Sequence, residues 1–536
     1  MNAPSERVVV QLASTPPPLQ DLIRLVVRAE SRAAAAEAEY GEWCPEPHHP
    51  SEEARQRQSL PALAADGVGL LISAITRLSP WTPLPAEVGA LATAIQLHPK
   101  LRGFVGKGLR GREQTESVLP VISALAQGVA TRGGGLVLDV AERLSQWREA
   151  DADRNAWAAA EPRLVRGPED AAAEPIVVER PGPAHRDIIA RHTEQAMAVG
   201  ASCGAAVGPF AGPRRGLAVA LASEPKAPDA GREGFATSLG RFLARRGAIA
   251  MDRGALRRLG QVDTVVLDED ALRGDRYELA DLVPLAGTEP ETITERLFEL
   301  FHPSEPDQLH RNADGWVLGP LEDLDLTGCT GQQAAGRLRR SSDRVLGLAR
   351  GHRLQAVAGV VAQTMPGVQA LTAAARRSGV RLVLATDHSD SAFGFVDAVM
   401  HSGRRLMASV HHLQADGAVV LLVSGNRGAL GASDCGIGVY RDGEAPAWGA
   451  DILVGPNLEA AAVIVDGIGT ARRVDQDSSL LAAGGSGVGA IAALQAPPAQ
   501  ACARGQAAGN TAGGIAFCLG LWRARQLLSH PITPPG

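Results

Sequence analysis

Residues 262–272 read VDTVVLDEDAL, and this stretch decides the fold. Thr264 to Leu267 form an apolar, β-branched run too short for a helix, and an acid follows at once, Asp268. Such a run predicts a strand buried on both faces, as in a parallel sheet covered by helices. An acid just past its carboxyl end lies where an open α/β sheet forms its ligand crevice and can present a nucleophile. Working outward, further strand-like runs fall at 344–348, 357–361, 381–385, 418–424, 437–440 and 452–454, with helical patterns at 367–378 and 391–400. The alternation predicts an α/β domain over 236–470 built on one mostly parallel, doubly wound sheet.

The rest of the 536 residues reads differently. Residues 1–60 are Pro-rich and polar and predict an arm with one amphipathic helix starting near Leu19. Residues 61–235 are Ala/Gly-rich and predict helices, with a charged, Pro-rich linker at 145–190; 471–536 predicts a helical hairpin. Four stretches, 61–97, 118–144, 195–225 and 479–522, look like membrane helices diluted by Ala, Gly and Arg, and LLAAGGSGVGAIAAL at 480–494 is the best of them. Membrane helices and buried helices of a soluble protein both remain open for these stretches.

The charge pattern excludes some classes. Net charge is −6, the basic residues are dispersed, and only Lys100, Lys107 and Lys226 are lysines, so no nucleic-acid footprint is present. Cys44, Cys203, Cys329, Cys435, Cys502 and Cys518 are far apart and form no C-x-x-C, which points to a reducing setting without zinc or disulfides. The N-terminus lacks a secretory pattern. The pairs His48-His49 and His411-His412 lack helical metal-site spacing, and GGSGVG at 484–489 carries no following lysine, so helix packing explains it better than a nucleotide loop.

Three segments in order carry a family resemblance. LARRGAIAMDRGALRRLGQVDTVVLD (243–268), GVRLVLATDHSDSAFG (379–394) and LLVSGNRGALGASDCGIGVYRDGEAPAWGADILV (421–454) are similar to the stretches of P-type cation-transporting ATPases that hold D-K-T-G-T, T-G-D and G-D-G-x-N-D. The likeness spans about residues 195–525 and is closest to the degenerate N-terminal half of unusually long bacterial members. It implies a Rossmann-like, haloacid-dehalogenase-type α/β domain with a parallel sheet, plus the Ala/Gly-rich helical segments as membrane candidates. It also implies ATP, Mg²⁺ and cation transport; no cofactor follows from the residues alone.

Position by position, Asp268 matches the phosphorylated aspartate, but Glu269 replaces the lysine after it, and Asp270, Ala271 and Leu272 replace T-G-T. Of T-G-D only the acid survives, in Ala385-Thr386-Asp387. Counting back from Asp434, the two magnesium-binding aspartates fall on Leu422 and Asn426. Leucine cannot ligate Mg²⁺, and Glu269 brings negative charge where the family attracts phosphate. The lysine preceding the third motif is missing; Arg404 and Arg405 are nearby. No T-G-E-S loop occurs in 145–190, and the insert 273–340 lacks K-G-A-P-E. At the helix break expected around Pro225, Lys226 would repel a cation.

These departures imply a P-type ATPase-like protein that is catalytically impaired, regulatory or structural, partnering a functional transporter half at the inner (cytoplasmic) membrane or membrane-associated in the cytoplasm. An active pump remains an alternative. So does a phosphatase using Asp268 as nucleophile, Asp270 as acid, Thr386 as phosphate-binding hydroxyl and Asp387. A soluble binding module is a third reading.

Overall fold

The computed structural model describes residues 134–165, 180–182, 188–285, 289–327, 331–387, 396–441, 444 and 446–529. The expected arm 1–60, the stretch 61–97 and most of 118–144 lie outside these residues.

The order along the described chain begins with α1 (Gly134–Leu164), α2 (Ile188–Ala211), α3 (Pro213–Ala222), α4 (Ala227–Arg245), β1 (Ile249–Ala250) and β2 (Thr264–Asp268). It continues with β3 (Arg273–Pro284), α5 (Pro290–Leu300), β4 (His310–Arg311), β5 (Trp316–Pro320), α6 (Gln332–Ser341), β6 (Arg344–Arg350), β7 (Arg353–Thr364), α7 (Val368–Ser378), β8 (Arg381–Ala385) and β9 (Ala398–Met400). Last come α8 (Leu406–Ala415), β10 (Val420–Ser424), α9 (Arg427–Ala432), β11 (Cys435–Val439), β12 (Ile452–Val454), α10 (Glu459–Gln495) and α11 (Ala501–Ser529).

The decisive strand β2 lies inside a seven-stranded sheet ordered β1-β12-β11-β10-β2-β8-β9, parallel at every pairing except β1 with β12. All five residues of β2 are buried. Val265 and Leu267 pack into one core with Leu239, Leu371 and Ile464, and Val266 packs into the other with Leu422, Leu406 and Trp448. Helices thus cover both faces, as the continuous apolar runs require.

Two of the expected strands belong elsewhere. Residues 344–348 and 357–361 lie in β6 and β7, which form an antiparallel pair in a second, five-stranded sheet ordered β3-β7-β6-β5-β4. The insert therefore runs from β3 through β7, beyond residue 340. Ile293, Leu297 and Leu300 of α5 close its core against Trp316, Leu348 and Val360, and Leu338 of α6 covers Val357. Of the helix expected at 391–400, residues 391–395 lie outside the described residues and 398–400 are instead β9, paired in parallel with β8.

The linker expected at 145–190 is helical as far as Leu164. Glu149, Asp153, Ala156, Trp157, Ala160 and Leu164 form a buried stripe at helical spacing. Two of its members are acids paired with arginines: Glu149 meets Arg257 at 3.0 Å, and Asp153 meets Arg253 at 3.1 Å.

Nor is 195–225 one continuous helix. Gly212, at φ +93°, and Pro213 break it into α2 and α3, which fold back so closely that a Cβ on Gly204 would lie 2.5 Å from the Gly216 carbonyl oxygen. The second break, at 223–226, separates α3 from α4 around Pro225, where Lys226 Nζ donates to Asn510 Oδ1 at 3.1 Å. α10 and α11 form a helical pair against α4. Among the described residues α10 is the one helix long and apolar enough to cross a membrane.

Small residues set this spacing. A Cβ on Gly520 of α11 would stand 2.1 Å from the Gly231 carbonyl oxygen of α4, a backbone contact that cannot yield without parting the helices. Gly520→Ala is expected to cost about 3 kcal/mol, whereas Gly487→Ala on α10, whose Cβ would meet nothing within 4 Å, should stabilise by roughly 0.5–1 kcal/mol. Denaturant titration of the two variants checks the contrast; equal effects would contradict the packing described.

Candidate functional site

The register β10–β2–β8 aligns three strand ends. Val423 pairs with Leu267 and Asp268 pairs with Ala385, so Ser424 emerges beside Asp268 at the carboxyl edge, and Thr386 follows one residue beyond Ala385. Asp268 is 3% exposed. Its two oxygens are held separately: Ser402 Oγ donates to Oδ1 at 2.7 Å, and Ser424 Oγ donates to Oδ2 at 2.5 Å. Burial pushes the Asp268 carboxyl above its ordinary value of 3.8; the hydroxyls of Ser424 and Ser402 oppose the shift, and the Asp270 charge adds to it.

The surroundings brace this arrangement. The Ser402 backbone N–H donates to Asp387 Oδ1 at 3.2 Å, and the Thr386 N–H donates to the Met400 carbonyl at 2.9 Å. The Asn426 N–H donates to Ser424 Oγ at 2.9 Å, its Oδ1 caps α9 by accepting from Ala429 N, and its Nδ2 donates to the Gly403 carbonyl. Thr386 is buried; the carboxyls of Asp387 and Asp270 are exposed. The structure thus brings Asp268, Thr386, Asp387 and Asn426 to one strand-end cluster, while Asp270, two residues on, adds only its charge and backbone.

Leu422 is displaced from the place that counting back from Asp434 assigns to it. It sits mid-strand with its side chain fully buried in the core, two residues before the end of β10. The side chain beside Asp268 is that of Ser424. Counting from Asp434 assumes a fixed loop length, and here the strand end and the turn differ by two positions. Ser424 was detectable from the rule that singled out Asp268, because each ends a buried apolar run; Ser402, in an irregular loop, carried no such signal.

Glu269 also acts differently from the expectation. It is buried, and its Oε1 pairs with Arg273 at 2.8 Å, while Arg273 pairs in turn with Asp343 at 2.6 Å. Its charge is compensated locally by Arg273. Asp434 holds the sheet together, accepting from Val420 N at 2.8 Å and pairing with Arg180 at 3.0 Å.

Mg²⁺ does not fit this donor set. It takes hard oxygen ligands, usually from one or two carboxylates together with waters and substrate phosphates. Here one buried carboxylate is capped by two hydroxyl donors, Asn426 is committed to its helix and loop, and no group of three His, Cys, Asp or Glu that could hold a metal occurs among the described residues. No lysine follows Lys226 anywhere in the chain; a guanidinium near the strand end is that of Arg441, which donates to the carbonyls of Asp270 and Arg273.

A parallel sheet with an aspartate at the end of a central strand, an antiparallel insert between that strand and the next, and a flanking pair of long helices is the layout of a P-type ATPase. The chain is 28% identical over 524 residues to the probable cation-transporting ATPase I of Mycobacterium leprae, covering 86% of this chain and 31% of that protein. It is 27% identical over 517 residues to the protein of the same name from Mycobacterium tuberculosis, covering 84% of this chain and 30% of that one. It thus spans under a third of the length of these curated relatives. Two crystal structures of a zinc-transporting PIB-type ATPase, captured in two different states, superpose with TM-scores of 0.52 and 0.57 at 14% and 13% identity, covering 88% and 87% of this chain and 100% and 99% of theirs. At that identity the likeness is one of fold. No family model matches the chain. In motif order, fold and relatives the chain is similar to the P-type cation-transporting ATPases.

The raised Asp268 carboxyl sets a pH dependence. A carboxyl raised on folding is favoured while protonated, so its contribution is full below the unfolded value of 3.8 and is lost as pH rises through the folded value. Asp268→Asn removes that loss. The melting temperature of the variant relative to the natural chain should therefore climb as pH rises above the ordinary value of 3.8, whatever constant offset the lost acceptor adds. A flat difference would mean that Asp268 titrates normally.

Proposed function

We propose that this chain is a non-phosphorylating member of a cation-transport ATPase system, acting as a regulatory or structural partner of a functional transporter half at the inner membrane. The observation that carries the reading is the serine clamp on Asp268. Transfer of a phosphoryl group to a carboxylate needs a free, ionised oxygen and a cation to screen the gathering negative charge. Here both oxygens accept hydroxyl protons, burial disfavours ionisation, and Ser424 stands where a second carboxylate would complete a metal site. A phosphatase built on Asp268 needs the same cation and meets the same obstacle.

Cation transport enters from the names of the mycobacterial relatives, of which this chain matches under a third. Membrane attachment is supported by α10 and its partner: Leu480, Val488, Ile491 and Ile515 are each more than half exposed, an arrangement that suits lipid better than water. Only 22% of the most apolar window of α10 is buried within the protein.

Incubation of the purified chain with labelled ATP and Mg²⁺ should leave no acid-stable, hydroxylamine-labile label. Such an adduct, lost on Asp268→Asn, would overturn the proposal and restore the active pump.

The clamp predicts its own reversal. Ser424→Asp places a second carboxylate at the strand end beside Asp268, and millimolar Mg²⁺ should then raise the melting temperature of the variant and not that of the natural chain. Leu422→Asp, with its charge in the core, should fail to fold stably. If Leu422→Asp folds and gains the Mg²⁺ response while Ser424→Asp does not, the strand-end assignment is wrong.

A further inference from the structure

Away from the strand-end site, a cavity of about 670 Å³ opens between α1 and the carboxyl end of α4. Arg148, Arg163, Arg241 and Arg245 line it, and no hydrogen bond or ion pair engages any of these four side chains among the described residues. The one acid in the wall, Asp151, faces Arg154 at 3.4 Å. Arg525 of α11 stands close enough to add its charge; burial and the charges of Arg245, Arg148 and Arg525 together push the Arg241 guanidinium below its ordinary value. The remaining wall is mostly alanine methyls with one amide, Asn155.

Two of these arginines have an ordinary explanation. Arg245 and Arg163 lie in the last turns of α4 and α1, where a cation complements the helix dipole. Arg148 lies mid-helix and Arg241 one turn before the last residue of α4, where the dipole contributes little. Arg148, Arg163 and Arg245 are exposed and Arg241 is half-buried, with Asp151 the one acid in the wall; crowded like charges cost stability, and the more enclosed Arg232, Arg253 and Arg257 each meet a carboxylate. Guanidinium groups carry forked donors that match two oxygens of one phosphate, and a volume of this size holds a small ligand. With no aromatic side chain in the wall there is nothing to stack a base, so the recognised feature is the phosphate itself.

We propose that this cavity is a binding site for a phosphate-bearing anion, held by Arg148, Arg163, Arg241 and Arg245. The anion is either a soluble polyphosphorylated compound or the headgroup of an anionic phospholipid; both offer the same oxygens. The site stands independently of whether Asp268 is phosphorylated.

The test uses the full chain and two probes. Inorganic pyrophosphate is titrated by calorimetry, and phosphatidylcholine vesicles with and without phosphatidylglycerol are used in flotation. The natural chain should bind at least one probe, less tightly as salt rises, and Arg241→Gln/Arg245→Gln should bind it about tenfold more weakly or worse. Without anion that variant should melt no lower than the natural chain, because repulsion has been removed; if it does melt lower, Arg163→Gln, exposed at the end of α1, replaces it. Pyrophosphate binding lost in the variant supports the site with a soluble ligand; flotation lost in the variant supports it with a lipid. Binding of neither probe overturns the proposal. So does equal binding by the variant, or an equal loss in Arg339→Gln/Arg340→Gln, on the exposed face of α6, which would mark charge attraction without a site.

Discussion

Burying a carboxylate costs several kcal/mol unless hydrogen bonds replace the water it loses, and Asp268 is buried at the end of a central strand. Its place there follows from β2 being clasped in parallel by β8 and β10, so the sheet cannot form without bringing the acid inside. The loops must then supply donors. Ser424 arrives on the neighbouring strand, and Ser402 arrives on the loop after β9. Each is held in turn, Ser424 through the Asn426 N–H and Ser402 through Asp387. The polar carboxyl edge is thus one network whose geometry is dictated by the need to solvate one oxygen pair from within.

A second set of buried charges ties the helices to the sheet. Arg257, in the short turn after β1, reaches Glu149 of α1 and Glu233 of α4, and Asp153 of α1 accepts from the Ala250 N–H as well as Arg253. Burial raises the Glu149 carboxyl, and the Arg257 guanidinium opposes that shift. Apolar replacements could match such pairs in stability, but they would not fix direction: a charge has one acceptable partner position, while a methyl group has many. The contact of Trp157 with Trp448, with ring centroids 6.1 Å apart, adds the apolar half of the same junction.

This distinction explains what was legible in the sequence. β2, β8, β10, β11 and β12 could be read because a strand buried on both faces must be continuously apolar, and Asp268 could be read because it ends such a run. α1 could not: its buried stripe includes Glu149 and Asp153, so a pattern rule that equates charge with solvent scores it as linker. β6 and β7 were legible as strands but not by sheet, because β-branched composition is the same in parallel and antiparallel ladders and the deciding pairing is non-local. Leu422 was misplaced for a related reason. A motif counted in residues ignores where the strand ends, and the strand end is what positions a side chain at the crevice. β9 is three residues long and lies where helix and strand periodicities cannot be told apart.

The high glycine content, 60 residues, has its meaning in the helices. Where α2 meets α3, and α4 meets α11, backbone approaches backbone because Gly204, Gly216, Gly231 and Gly520 carry no side chain between them. Helices packed this way gain from close dispersion contacts more than from burying large apolar groups. Such contacts work equally well whether the outer surface faces water or lipid, since they draw nothing from the difference between the two. Some polar atoms in this packing find partners within it, as when Arg215 donates twice to the Ala496 carbonyl at the end of α10. An arginine that reads as an interruption of an apolar segment is here the group that closes a helix end, so charge in these segments is compatible with a tightly packed helical unit.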